Sequence, residues 1–256
     1  MSGESAVRIA ALLPDVLGTY SDRGNVTVLA QRLRWRGIPV ETCAVTAEVV
    51  PPIDCDVYVL GGGEDRAQMF AAQWLRERPQ LCATLAQRAT VVAVCAGVQL
   101  LGRWMEDSTG RRCPGAAILD LSTRPGRCRA VGEVVSRCAM PDVGTLIGFE
   151  NHRGVTTLGP GLPPLGRVIR GVGNGAGSCA DGVLTPTIVG TYLHGPVMAR
   201  NPAFADAVLT RVTGHVLPPL ELPDQSAVRR QALERSSHRD LAGLVRRGPR
   251  ARPASS

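Results

Sequence analysis

Short apolar runs rich in β-branched residues alternate along the chain with longer stretches whose apolar positions recur every three to four residues. Val7 to Leu13 predicts a first strand, and Val26 to Trp35 a helix with one apolar face, stopped by Gly37 and Pro39. Val40 to Val45 and Asp56 to Leu60 predict two further strands, and Arg66 to Arg76 and Pro79 to Gln87 two further helices. Val91 to Val94 reads as a strand buried on both faces, after which Leu100, Leu101 and Trp104 follow at helical spacing. Strands and helices alternating in this way argue for an α/β fold. Its mostly parallel sheet would be flanked by helices, with a site at the carboxyl ends of the strands.

After Trp104 the pattern changes. Residues 107 to 186 are rich in glycine and proline. Ala117 to Leu121, Val131 to Val135 and Leu146 to Phe149 predict shorter, partly antiparallel strands extending the same domain, and 171 to 177 a surface turn. Thr187 to Leu193 predicts a strand ending at His194. Asn201 to Val212 predicts a helix with Asn201 as N-cap and Pro202 as its first residue. This places one domain over residues 1–222. An amphipathic helix is expected over 223–247, with Val228, Ala232, Leu233, Leu241 and Leu244 apolar among many arginines, and a disordered tail over 248–256. That helix suits a solvated appendage and a docking element for a partner equally well.

Composition narrows the chemistry. The net charge of +7 arises without a single lysine, so Walker A, Schiff-base and kinase-type lysines are all excluded. Much of the excess arginine lies near the C-terminus, and no aromatic-rich RNA motif or zinc finger accompanies it, so a nucleic-acid partner is not expected. The eight cysteines form no C-x-x-C pair, and no metal site is expected. No run approaches the ~18 apolar residues of a membrane span, and the amino-terminal stretch lacks a basic segment followed by a long apolar run. A soluble, cytoplasmic protein is expected.

Cys95 sits where a buried strand turns directly into a helix. Such a junction needs small neighbours, which Ala93, Ala96 and Gly97 supply, and it presents its side chain as a nucleophile does. An exposed thiol above a helix N-terminus should ionise more readily than free cysteine. The strand before it in sequence ends in Gly61, Gly62, Gly63, Glu64 and Asp65. This is not a phosphate loop, because the acidic pair would repel a phosphate, but its bare backbone can turn an N–H toward a substrate held over Cys95. Of the four histidines, His194 ends a strand and ranks first as a base. His152, in F-E-N-H-R-G, ranks second.

C-A-G-V-Q after a buried strand, with a glycine-rich loop upstream and a strand-terminal histidine downstream, resembles the class I glutamine amidotransferases, whose C-x-G-x-Q elbow Cys95, Gly97 and Gln99 match. L-G-T-Y-S-D-R-G-N (17–25), G-G-G-E-D-R-A-Q (61–68), G-F-E-N-H-R-G (148–154) and G-T-Y-L-H-G-P (190–196) are similar to the GatD-type glutaminase subunits of lipid II isoglutaminyl synthase, in the cobyric acid synthase-like branch. The resemblance implies a flavodoxin-like fold and hydrolysis of L-glutamine through a thioester on Cys95, with His194 shuttling the proton. It also implies an oxyanion held by the backbone of Ala96, Gly62 and Gly63, and Gln99 and Arg129 at the substrate, Arg129 on its α-carboxylate with Arg127 and Arg153 as reserves. Where many relatives carry a glutamate two residues after the histidine, this chain has Pro196, so the carboxylate orienting His194 is left unassigned. The implied partner is a MurT-like, Mur-ligase-type subunit. It would hold ATP and Mg and meet lipid II itself, leaving this chain without a cofactor. The competing expectations are a cobyrinate-type amidotransferase subunit and a non-catalytic scaffold of a ligase.

Overall fold

Burying the run Thr90–Val94 on both faces requires strands on either side and helices above and below, and this sets the frame of the fold. A computed structural model of the chain describes residues 5–18, 22–175, 177–220 and 222–245. In chain order come β1 (Val7–Leu12), α1 (Gly24–Arg34), β2 (Val40–Val45), β3 (Val57–Leu60), α2 (Asp65–Arg76), α3 (Pro79–Gln87) and β4 (Thr90–Val94). Each lies where the periodicity predicts it. The five-residue α4 (Ala96–Leu100) follows, then β5 (Trp104–Glu106), β6 (Arg112–Pro114), β7 (Leu121–Cys138), β8 (Thr145–Leu158), β9 (Gly166–Arg170) and β10 (Ala180–Asp181). The remainder of this unit is β11 (Val183–Leu184), β12 (Ile188–Thr191), α5 (Val197–Arg200) and α6 (Pro202–Thr213).

The first sheet has the order β11-β12-β4-β3-β1-β2. Its pairs from β12 to β2 are parallel, and only β11 runs antiparallel to its neighbour. One face is packed by Trp74, Leu75, Leu81 and Leu85 of α2 and α3. The other is packed by Leu29 and Leu33 of α1 with Phe204 and Val208 of α6. Each such side chain contributes roughly 1.5–3 kcal/mol of transfer free energy, so the two helical layers fix which strand ends lie side by side.

The region after α4 departs from expectation. Trp104 does not continue the helix but opens β5. The segment predicted as a strand at Ala117 to Leu121 instead turns its N–H groups onto the helix end: Ala116 bonds the carbonyl of Leu100, and Ile118 and Leu119 that of Leu101. Val131–Val135 and Leu146–Phe149 lie inside two long strands, β7 of 18 residues and β8 of 14. These pair as an antiparallel hairpin in a second six-stranded sheet. Their register breaks between Pro125 and Ala130, where four residues of β7 oppose one of β8.

Asn201 precedes α6 and Pro202 opens it, as expected, but the Asn201 side chain makes no capping bond. It accepts from Ile147 N–H at 2.9 Å and donates to the Ile147 and Val197 carbonyls at 2.8 Å each, tying α5 and α6 to β8.

The chain divides into two compact units, Met1–Leu220 and Glu221–Ser256. The second contains α7 (Pro223–Val245), over the expected C-terminal helix. The expected tail at 248–256 lies outside the described residues, as do residues 19–21 of the motif at 17–25 and residue 176 of the expected turn. Among the described residues no helix is long and apolar enough to cross a membrane.

Candidate active site

β4 delivers Cys95 to the carboxyl edge of the first sheet in a backbone conformation that side chains rarely adopt, φ 52° and ψ −105°. The surrounding bonds hold this strain: Cys95 N–H donates to the Thr191 carbonyl at 2.8 Å, and the Cys95 carbonyl accepts from Val98 at 3.0 Å. Gly97 is required because a Cβ there would lie 2.7 Å from the Leu60 carbonyl oxygen, blocking α4 from closing on β3.

The thiol is not exposed as its junction position suggests. It is 6% accessible and lines a cavity of about 180 Å³. Nor is it activated in the resting site. Burial, with Asp22 adding to it, pushes the Cys95 thiol up to about 12, against the smaller opposing pulls of the Ala96 N–H and the Arg129 guanidinium. A helix of five residues offers too little dipole to reverse that.

β12 pairs with β4 so that Thr191 lies opposite Val94, and His194 follows three residues later, at the same sheet edge as Cys95. The His194 backbone bridges to the second sheet, its N–H on the Phe149 carbonyl at 2.7 Å and its carbonyl accepting from Phe149 at 3.2 Å. Its Nδ1 faces both oxygens of Asp22, at 3.0 and 3.2 Å, with both residues 1% exposed. A carboxylate can only accept, so Nδ1 carries the ring proton and Nε2 is the basic nitrogen. Asp22 is the orienting carboxylate that the sequence left unassigned. It lies in the polar loop after β1, where periodicity is silent; the available signal was that this loop, like Gly61–Gly63, leaves a parallel strand at its carboxyl end.

Asp22 also corrects the expectation for Gly62. The Gly62 N–H donates to Asp22 Oδ2 at 2.9 Å, so it is not aimed at an oxyanion over Cys95. Gly63 lines the cavity, and the Ala96 N–H is directed at the Cys95 sulfur.

His152 is buried in the cavity wall with its ring 4.3 Å from that of Tyr192. Its Nδ1 lies 3.0 Å from the Gly154 carbonyl and its Nε2 3.4 Å from Glu150. Both nitrogens face protein acceptors, which suits a structural histidine better than a base for Cys95. Gln99 forms part of the cavity, but its amide N–H donates to the Tyr192 hydroxyl at 3.1 Å. Close packing enforces this, since a Cβ on Gly154 would lie 2.4 Å from Gln99 Nε2.

The break in the β7–β8 register re-aims Arg129 into the cavity. Its Nε bonds Asn151 Oδ1, and one terminal nitrogen lies 3.2 Å from Glu64 Oε1 across the opening. Arg153 also lines the cavity, with its Nε on the Gly126 carbonyl at 3.0 Å. Arg127, on the same bulge, is not among the cavity residues. The site thus brings to one region a buried thiol, an oriented imidazole and a guanidinium opposite a carboxylate.

The family model of the CobB/CobQ-like glutamine amidotransferase domain matches residues 8–202, a span that includes every one of these groups. The chain belongs to this amidotransferase family. Among its relatives, the lipid II isoglutaminyl synthase (glutamine-hydrolyzing) subunit GatD of Staphylococcus aureus is 33% identical over 201 residues, covering 78% of this amidotransferase and 81% of that protein. The subunit of the same name from Streptococcus pneumoniae is 31% identical over 212 residues, covering 80% and 79%. A crystal structure of a glutamine amidotransferase shares the fold, with a TM-score of 0.53 at 16% identity over 80% of this chain and 98% of its own.

Proposed function

We propose that this amidotransferase is the glutamine-hydrolysing subunit of a lipid II isoglutaminyl synthase. The observation that carries its chemistry is the buried His194–Asp22 pair at the same sheet edge as the strained Cys95, whose thiol feels the Asp22 charge. L-Glutamine enters with its α-carboxylate on Arg129, which exchanges Glu64 for the substrate. As Cys95 Sγ attacks the side-chain amide carbon, its proton passes to His194 Nε2, so the neutral resting thiol becomes a thiolate only in the presence of the carbonyl it attacks. The tetrahedral oxyanion rests on the Ala96 and Gly63 N–H groups, each worth roughly 3 kcal/mol in a comparable site. His194 then gives the proton to the leaving ammonia. Water, deprotonated by the same nitrogen, cleaves the γ-glutamyl thioester to glutamate and restores the thiol.

Ammonia passes to a MurT-like, Mur-ligase-type partner. That partner would hold ATP and Mg and would amidate the α-carboxylate of D-glutamate in lipid II, leaving D-isoglutamine within the stem peptide. This acceptor is favoured over a corrinoid because the GatD relatives align with this chain over 81% and 79% of their length, as stand-alone subunits of similar size. The test is co-expression with a Mur-ligase-type partner, followed by measurement of ammonia from glutamine and of amidated lipid II. Loss of glutamine-dependent but not ammonium-dependent amidation on Cys95→Ala supports the reading. Amidation of cobyrinate instead of lipid II overturns the acceptor, and no glutamine hydrolysis overturns the enzyme.

A further inference from the structure

Two residues, Tyr192 and Leu193, separate the end of β12 from His194, and their polar groups need partners once the chain has left the sheet. Asp181, on β10 and fully buried, supplies them. Its Oδ1 accepts from the Tyr192 N–H at 2.9 Å and its Oδ2 from the Thr191 hydroxyl at 2.8 Å. Thr191 Oγ1 in turn accepts from the Leu193 N–H at 3.1 Å, and the next residue is His194. Tyr192 carries the connection to the nucleophile: its hydroxyl accepts from Gln99, one turn beyond Cys95 on α4.

The carboxylate is itself fixed. A Cβ on the adjacent Gly182 would fall 1.8 Å from the Gly190 carbonyl oxygen, so the junction between β10 and β11 meets β12 backbone to backbone. Asn174 brackets Gly182, donating to its carbonyl at 2.9 Å and accepting its N–H at 2.6 Å. Asn174 and Asp181 thus belong to one clamp behind the site.

We infer that Asp181 is a positioning residue for this reaction, holding the Thr191–His194 segment and the α4 nucleophile turn in one arrangement through Thr191, Tyr192 and Gln99. The inference rests on the glutaminase reading above. Both Asp181 oxygens accept from that segment, so the carboxylate must be ionised to hold it; a protonated carboxyl surrenders one acceptor. Burial raises the Asp181 carboxyl to about 6. Tyr192 N–H and the Thr191 hydroxyl oppose this, Glu150 adds to it and His152 opposes it, and the Cys138 thiol on β7 also feels the Asp181 charge. Below that pH the clamp loosens.

The experiment follows ammonia release by the full-length chain with its ligase partner from pH 5 to 9, in wild type, Asp181→Asn and Thr191→Val. Wild type is expected to lose kcat on the acid side with a midpoint near 6. Asp181→Asn should lower kcat at pH 7.5 by about ten- to a hundredfold with KM little changed, and should lose the part of the acid limb that Asp181 contributes. Thr191→Val removes a donor to the carboxylate, so its limb should move to higher pH. Stability should run the other way. A raised folded-state value contributes stability that is fully present below the ordinary carboxyl range and lost as pH rises through about 6. Wild type should therefore gain in Tm on Asp181→Asn between pH 8 and 5 while its own kcat falls, which a merely structural aspartate would not show.

If Asp181→Asn does not fold, carboxyl-carbon NMR of wild type provides the midpoint to set against the kinetic limb. Coincidence of the two, with His194 ring signals following, supports the inference. An acid limb unmoved in Thr191→Val, or a carboxyl that titrates elsewhere, overturns it. Ammonia release absent from wild type at every pH overturns the glutaminase reading instead, and the His194 signals then still report on the clamp.

Discussion

His194 Nδ1 and Asp22 Oδ2 lie 3.0 Å apart in the buried floor of the site, although 172 residues separate them in the chain. The pair exists because β1 and β12 are parallel strands of one sheet, with β3 and β4 between them. The loop after β1 and the segment after β12 therefore emerge at the same edge.

Asp22→Asn should lower kcat for glutamine hydrolysis by roughly 10²- to 10⁴-fold, because an amide does not fix the His194 tautomer or stabilise its protonated form. Ammonia release at saturating glutamine, with circular dichroism to verify folding, measures this. Activity within a few-fold of wild type would remove Asp22 from the mechanism.

Cys95 alkylation by iodoacetamide should accelerate about tenfold per pH unit from 7 to 10 without levelling, since the reactive thiolate grows in that proportion below its pKa. With the thiol raised to about 12, its thiolate fraction at pH 7 is below that of free cysteine, so the rate should also be lower. Mass-spectrometric rates at Cys95 against a free-thiol reference decide it. A plateau near pH 7 would show a resting thiolate–imidazolium pair instead.

Arg129→Ala should lower kcat/KM by about 2–5 kcal/mol, chiefly through KM, because the substrate carboxylate loses its partner. The Arg129–Glu64 pair it replaces is 44% and 65% exposed and so contributes at most about 1 kcal/mol, too little to keep glutamine out. An unchanged KM would transfer the carboxylate to Arg153.

His194→Ala should be nearly as damaging as Cys95→Ala, whereas His152→Ala should retain much of kcat and lose stability through the Tyr192 contact. Parallel kinetics and thermal melts of the two variants provide the comparison. A larger kinetic loss at His152 reverses the assignment.

What the sequence revealed follows what each residue contributes physically. The parallel sheet was legible because strands buried on both faces, such as Thr90–Val94, leave continuous β-branched runs, and helices such as Pro79–Gln87 begin with a proline and keep one apolar face. Cys95 and His194 were legible because both sit where such runs stop. Asp22 was not, since a polar loop residue gains its role only when another strand brings a partner to it. β7 was hidden for a related reason: Arg124 to Arg129 interrupt its alternation to form the bulge that serves the cavity. The ionisation of Cys95 was misjudged because desolvation depends on everything packed around the thiol, and none of that is local.

That same desolvation bears on survival under oxidative stress. Peroxides attack thiolates that they can reach. Cys43, Cys128 and Cys179 are exposed, whereas Cys95 is enclosed and its burial favours the neutral thiol. The enzyme would collect oxidised cysteines on its surface while its turnover stayed intact, and bound glutamine, by drawing out the thiolate, would mark the moment when the nucleophile is exposed to damage.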